Sequence, residues 1–202
     1  MISQQYTLKE LGIHVDNQLR FTNHVNQIVA KTHVRSRRIH ECFLSKDRSA
    51  IDKACVTYVR PLLEYSYIWS PYQSENICTV ESVQRRFTKT LNGLTGYSYS
   101  RRLAILGLES LELRRLHQDL IYAYKTIFGL IDIDCSKFFT VSPYSSTRGH
   151  DYKLFIQYSR VDGRKYFGPT GSSMLRTSYQ PSPATFKSFL TNTDLSEFLT
   201  CS

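Results

Sequence analysis

Two groups of positive side chains carry the clearest chemistry in the sequence. Lys31, Arg35 and Arg38 recur at the spacing that lines one side of a helix, and Arg85, Arg86 and Lys89 form a second such group. Few acids stand at pairing distance from either group, so each reads as an unpaired positive stripe. Gln84, Thr88 and nearby tyrosines add amide and hydroxyl groups. Such side chains, together with Arg and Lys, are the ones that contact a phosphate backbone. Arg101 and Arg102 make a shorter pair with the same potential. Tyr and Phe residues could stack on bases, although most of them fall at core spacing. The competing reading is that these charges simply solvate helices. For the helix that follows residue 110 it is the better one, because Glu112, Arg115 and Asp119 form a self-paired series.

Other chemistry is thinly represented. Asp132 and Asp134 are a close acidic pair that could hold Mg²⁺, but nothing acidic or phosphate-binding lies near them in sequence, and solvated loop acids are expected. There is no glycine-rich phosphate loop, no HExxH and no GxSxG. His24, His33, His40, His117 and His150 are scattered singly and read as surface residues. The five cysteines, Cys42, Cys55, Cys78, Cys135 and Cys201, form an odd set without CxxC or metal-ligand spacing. Neither a disulfide framework, a zinc site nor a resident cofactor is therefore expected, and a reducing, intracellular location is.

The composition bounds the class of protein. With 202 residues, 41% of them hydrophobic, the chain can bury a core of one domain or slightly more. Lys and Arg number 26 against 17 acids, a net charge of +9 that favours polyanionic partners. No long apolar run free of charge is present, so no membrane partner is expected.

The elements that must position the charges follow from periodicity. The stretch Tyr6 to Leu19 contains Gly12 and closes on Asp16-Asn17, which reads as a strand or hairpin. A first helix runs from Thr22, a candidate N-cap, with Val25, Ile28, Val29, Ile39 and Phe43 on one face. A second follows Ser45 or Asp47 and must kink or restart at Pro61. A third opens at Ser74, with Ile77, Val80, Val83, Phe87 and Leu91 inward and Arg85, Arg86 and Lys89 outward. Ser98 or Ser100 opens a fourth that Gly107 ends. Ser110 caps a fifth, with Leu113, Leu116, Leu120, Tyr124 and Ile127 as its apolar stripe and Gly129 at its end. Beyond about residue 130, runs at Tyr152 to Ser159 and Lys165 to Phe167 flank Asp162-Gly163 and predict a small hairpin, followed by a loosely held tail. The expected fold is mainly α: a helical bundle (22–130) after a short β-hairpin (1–21), then a region of hairpin and irregular tail (131–202).

Several of these segments resemble a known family. VRPLLEYSYIWSPY (Val59 to Tyr72), VESVQRRFTKTLNGL (Val80 to Leu94), SYSRRLAILGLESLELRRLHQDLIYAYKTIFGL (Ser98 to Leu130) and STRGHDYKL (Ser146 to Leu154) resemble the C-terminal region of non-LTR, LINE-type retrotransposon reverse transcriptases of the jockey and chicken-repeat kind. LKELGIHVDNQLRFTNHVNQIVAKTHVRSRRI (Leu8 to Ile39) resembles their primer-grip hairpin and first thumb helix. The resemblance makes the helical bundle thumb-like and the first hairpin a palm-edge remnant. It implies that Leu11 and Gly12 support a primer terminus and that the helices grip template and primer. RNA, DNA or an RNA–DNA hybrid would be the partner. In that family polymerisation belongs to a palm with three Mg²⁺-binding aspartates, two of them adjacent. No Asp-Asp pair occurs in this sequence. The chain is therefore expected to bind nucleic acid without polymerising it, and the Mg²⁺ of the parent enzymes has no site in it.

The resemblance departs near residue 170. Where the family has an Arg-Val-Ile segment and a Trp-Asn motif, this chain has GSSMLRTSYQ (Gly171 to Gln180), and the pattern resumes at PSPATFKSFL (Pro181 to Leu190). A possible spelling of Arg-Val-Ile-Asp-Ala-Trp-Asn, read one base later, gives Gly-Ser-Ser-Met-Leu-Gly-Thr, which differs from Gly171 to Thr177 only at Arg176. Residues 170 to 180 therefore read as a frame-shifted remnant in a decayed copy of such an element, with divergence of a free loop as the other explanation. The rival to a nucleic-acid role altogether is a helical interaction or structural module in which the stripes only solvate the fold.

Overall fold

The computed structural model describes residues 7–43, 47–64, 69–134, 136, 140–141, 154–155 and 182–201. The chain divides into two compact units, residues 1–114 with 199–202, and residues 115–198. The division falls inside the fifth predicted helix rather than at its end near residue 130.

The first unit opens with an antiparallel hairpin of β1 (Thr7–Glu10) and β2 (Ile13–Asp16), in register from Thr7 opposite Asp16 to Glu10 opposite Ile13. Its two-residue loop places Leu11 at φ 48° and Gly12 at φ 86°, the left-handed pair whose twist suits a tight hairpin. Asp16 organises the exit. Its carboxylate accepts the N–H groups of Gln18 at 2.9 Å, Arg20 at 3.2 Å and Phe21 at 2.8 Å. That cradle supports the left-handed backbone of Leu19 and Phe21 and delivers the chain into α1 (Thr22–Cys42). Thr22 is thus the first helical residue, and the Phe21 position before it supplies no side-chain cap.

Asp47 caps α2 (Arg48–Ala54), accepting from the Ser49 and Ala50 amides at 3.3 and 3.2 Å. The chain then widens into a π-helical stretch, Cys55–Val59, before α3 (Arg60–Glu64). Pro61 explains the change of ladder, since its nitrogen carries no hydrogen for the turn before it. Two further helices follow, α4 (Ser74–Thr90) and α5 (Tyr99–Leu106). The Ser98 hydroxyl caps α5 by accepting the Arg101 amide at 3.3 Å, and Gly107 ends it at φ 63°.

The core of this unit forms where α1 lies against α4, with α2, the π-helical stretch and α3 on another side of α1. Val25, Val29 and Ile39 of α1 share one buried cluster with Val80, Val83 and Phe87 of α4, and Trp69, Leu91, Leu94 and Leu111 are among its other members. The apolar stripe predicted for α4 is buried throughout, Ile77 to Leu91.

α6 (Leu111–Ile127) differs from its predicted pattern. Leu111, Leu120 and Tyr124 are buried, Leu113, Leu116 and Ile127 only partly, and Arg115 is buried as well. The water-facing series expected of Glu112, Arg115 and Asp119 is altered, because Arg115 is buried, although its charge still favours the ionised Asp119 carboxyl. The Glu112 carboxylate accepts the Thr200 and Cys201 amides at 2.7 and 2.9 Å, and Arg114 is held by both oxygens of Glu64 at 2.7 and 3.1 Å.

In the second unit Leu120 and Tyr124 are buried, and Tyr124 stacks on Phe186 with ring centroids 4.5 Å apart. Phe186 belongs to α7 (Pro183–Asn192), which Ser182 caps and Pro183 opens. This helix corrects the expectation of an irregular tail. Phe186 and Leu190, one turn apart, are both buried, and Leu195 beyond them is too. Within the segment predicted for a hairpin, Leu154–Phe155 (β4) forms a strand, antiparallel to the upstream Thr140–Val141 (β3). Lys165 to Phe167 and the proposed remnant at 170–180 lie outside the described residues.

Candidate nucleic-acid interface

The positive stripes stand on the two helices that form the centre of the first unit. Lys31, Arg35 and Arg38 on α1 and Arg85, Arg86 and Lys89 on α4 are all exposed, because the apolar residues between them are drawn into the α1–α4 contact. None of the six forms an ion pair among the described residues, where the pairs are Arg37–Glu41, Arg60–Glu64 and Arg114–Glu64. Arg35 donates to the Tyr58 carbonyl at 3.3 Å, and the Arg85 guanidinium lies over the Tyr99 ring at 4.9 Å.

Arg38 and Arg86 come together in one groove. It has a volume of about 710 Å³ and is lined from α1 by His33, Arg37, Arg38 and His40, and from α4 by Arg86, Phe87 and Thr90. The Arg37 charge is met by Glu41 at 2.9 Å, one turn on. His40 meets the Thr90 hydroxyl through Nε2 at 2.8 Å. Partial burial lowers the pKa of both His33 and His40, and for His33 the Arg86 charge adds to the effect. The groove therefore offers two guanidinium groups without acidic partners beside two neutral imidazoles and a hydroxyl. That set can donate several hydrogen bonds to an anionic oxygen.

Arg101 is exposed beside this helix pair, whereas Arg102 is not available to a ligand and corrects the sequence reading. It is buried, with donors to the Thr88 hydroxyl at 3.1 Å, the Tyr97 carbonyl at 2.6 Å and the Arg85 carbonyl at 3.2 Å. The guanidinium ties α5 to α4. Leu11 and Gly12 sit at the hairpin tip, with Leu11 86% exposed. Asp134 is occupied locally, accepting from the Ser136 amide and hydroxyl at 3.1 and 2.6 Å.

Sequence reasoning missed His33 and His40 as groove residues. Their spacing of seven, on the side of α1 that meets α4, is the signal that was present. It also misplaced His24, which is buried rather than on the surface. The His14 amide donates to His24 Nδ1 at 3.3 Å, and the imidazole meets the Trp69 ring edge-on at 4.9 Å. Burial, then the charges of His14 and Lys31, push its pKa down to about 4. The unfolded chain thus binds a proton near pH 6.5 that the folded chain refuses until about pH 4. Stability is expected to fall as the pH drops through that window, by up to about 2 kcal/mol, and to level off below it. Urea titrations of His24→Leu against the parent at pH 7 and pH 4.5 check this, the variant losing less on acidification. Equal losses would place the acid sensitivity elsewhere.

A disulfide joins Cys78 to Cys201, with Cα atoms 5.6 Å apart, which overturns the expectation that no cysteines pair. The odd count obscured it, and 123 residues separate the partners. Cys42 and Cys55 are free, and burial pushes the Cys55 thiol up to about 12. No helix among the described residues is long and apolar enough to cross a membrane. No family model, curated protein or solved structure matches the chain.

Proposed function

We propose that the chain is a thumb-like module, derived from a non-LTR retrotransposon reverse transcriptase, that grips RNA, DNA or an RNA–DNA hybrid through its phosphates without reading sequence. The observation that carries this reading is the arrangement of Lys31, Arg35 and Arg38 on one of two packed helices and Arg85, Arg86 and Lys89 on the other, exposed and without ion pairs among the described residues, with Arg38 and Arg86 lining one groove. Cations so placed can each neutralise a phosphate and release its condensed counterion, which gives affinity that depends on salt rather than base identity. Under this reading Leu11 and Gly12 at the hairpin tip take the primer-grip position. The chain binds and does not polymerise, since the paired aspartates that the family uses for Mg²⁺ have no counterpart in its sequence. It acts inside the cell, where such templates are found.

Fluorescence anisotropy of a labelled RNA–DNA hybrid at several salt concentrations, with a scrambled hybrid alongside, tests the proposal. Binding that weakens steeply with salt and equally for both duplexes is the expected result. Folded, helical protein that binds neither at low salt would leave the stripes as solvating charge.

A further inference from the structure

The Cys78–Cys201 bridge joins α4 to the C-terminal segment. Cys78 lies on the exposed side of α4, whereas Cys201 is half-buried. The Arg85 guanidinium, two helical turns along α4, lies 4.0 Å from the Cys201 sulfur. On the other side the Glu112 carboxylate accepts the Thr200 and Cys201 amides, so the segment carrying Cys201 is seated by hydrogen bonds that do not involve sulfur. Cys78 is thus the more exposed partner, the Cys201 sulfur faces a cation, and the backbone is held by bonds other than the disulfide.

We propose that Cys78–Cys201 is a reversible thiol–disulfide site, opened by a thiol reductant at Cys78, with Arg85 stabilising Cys201 as the leaving thiolate and Glu112 holding it ready to re-close. A reductant thiolate attacks the Cys78 sulfur, the S–S bond breaks, and its electron pair leaves on Cys201. The product is a mixed disulfide on Cys78 and a free Cys201 thiolate beside Arg85. With a dithiol, the second thiol of the reductant closes on its own sulfur and releases Cys78, so the protein gains two electrons and the reductant becomes a cyclic disulfide. With a monothiol at low excess the mixed disulfide remains. Cys55 takes no part, being buried and protonated, and the proposal does not depend on nucleic-acid binding.

The test treats the oxidised full chain with glutathione, quenches with acid and maps the adducts by peptide mass. Glutathione is expected on Cys78 with Cys201 free. Arg85→Gln is expected to slow opening about three- to ten-fold, because it raises the basicity of the leaving thiolate, while Arg85→Lys retains most of the rate. Arg85 is exposed, and circular dichroism of both variants checks that the helices persist. Adducts equally on both cysteines or chiefly on Cys201, or an opening rate unchanged in Arg85→Gln, would overturn the assignment. So would immediate alkylation of both thiols in protein equilibrated with oxidised glutathione.

Discussion

Replacing Lys31, Arg35 and Arg38 together with glutamine is expected to lower the salt slope of hybrid binding by about 2 to 3 units and to weaken binding equally for every sequence. Each cation that neutralises a phosphate contributes about 0.9 to that slope. The three side chains project from α1 into solvent without acidic partners, so glutamine removes charge and little else. Arg35 also supports the Tyr58 carbonyl at 3.3 Å, a bond near the surface of the unit that the fold can exchange for water. The helical content of the variant should therefore match the parent, and anisotropy titrations across salt isolate the loss of charge. A slope that does not change would exclude α1 from the interface. A loss confined to one sequence would point instead to contacts with base edges.

The second large effect concerns stability. Glu81→Ala is expected to cost about 3 to 5 kcal/mol, read as a lower urea midpoint with unchanged cooperativity. Glu81 is a fully buried carboxylate on α4, and it serves the start of another helix. Its oxygens accept the Leu111 amide at 3.0 and 3.3 Å and the Glu112 amide at 3.3 Å, at the N-terminus of α6, where peptide N–H groups lack partners. The Tyr99 hydroxyl also donates to it. Burial, and then the adjoining Glu81 carboxylate, raise the Tyr99 pKa well above the ordinary phenol range, so that the hydroxyl remains a donor. Gln84 completes the arrangement by donating to Tyr99 Oη at 3.1 Å and to the Glu109 carbonyl at 2.9 Å. Alanine would leave the buried Leu111 amide, the half-buried Glu112 amide and the Tyr99 hydroxyl hydrogen without their acceptor at once. Glu81→Gln keeps an acceptor oxygen and should lose less. A Glu81→Ala midpoint within experimental error of the parent would show that water or another group replaces the carboxylate.

Buried charge recurs across this unit. Arg60, buried, pairs with Glu64 at 3.2 Å and donates to the Glu109 carbonyl at 3.2 Å, while Arg114 takes the same Glu64 in a two-pronged contact. Together with Glu81 and Arg102, these groups connect α3, α4, α5 and the start of α6 by specific bonds rather than by apolar contact alone. Such networks are costly to leave half satisfied, which is why removing one member is expected to be felt more than its own hydrogen bonds would indicate.

Periodicity and local chemistry were sufficient for the elements of the first unit. The Asp47 and Ser98 caps, the Gly107 stop, the Pro61 disturbance and the inward face of α4 from Ile77 to Leu91 all follow from residues within a few positions of one another. The exposed stripes of α1 and α4 follow from the same periodicity, since a residue opposite an apolar face stands in water.

What the sequence by itself determined, then, was where helices start, where they stop and which face is apolar, because those depend on spacing and on short-range hydrogen bonds. Tertiary structure alone decided which charges are spent inside. Arg102 is drawn inward by acceptors on α4 and at Tyr97, and Glu81 by amides thirty residues away, while Cys78, left exposed, finds a partner 123 residues on. The convergence of Arg38 with Arg86 likewise exists only once α1 lies on α4. A polar side chain is buried when distant segments bring the partners that repay its lost hydration, and those partners leave no periodic mark near it in the chain.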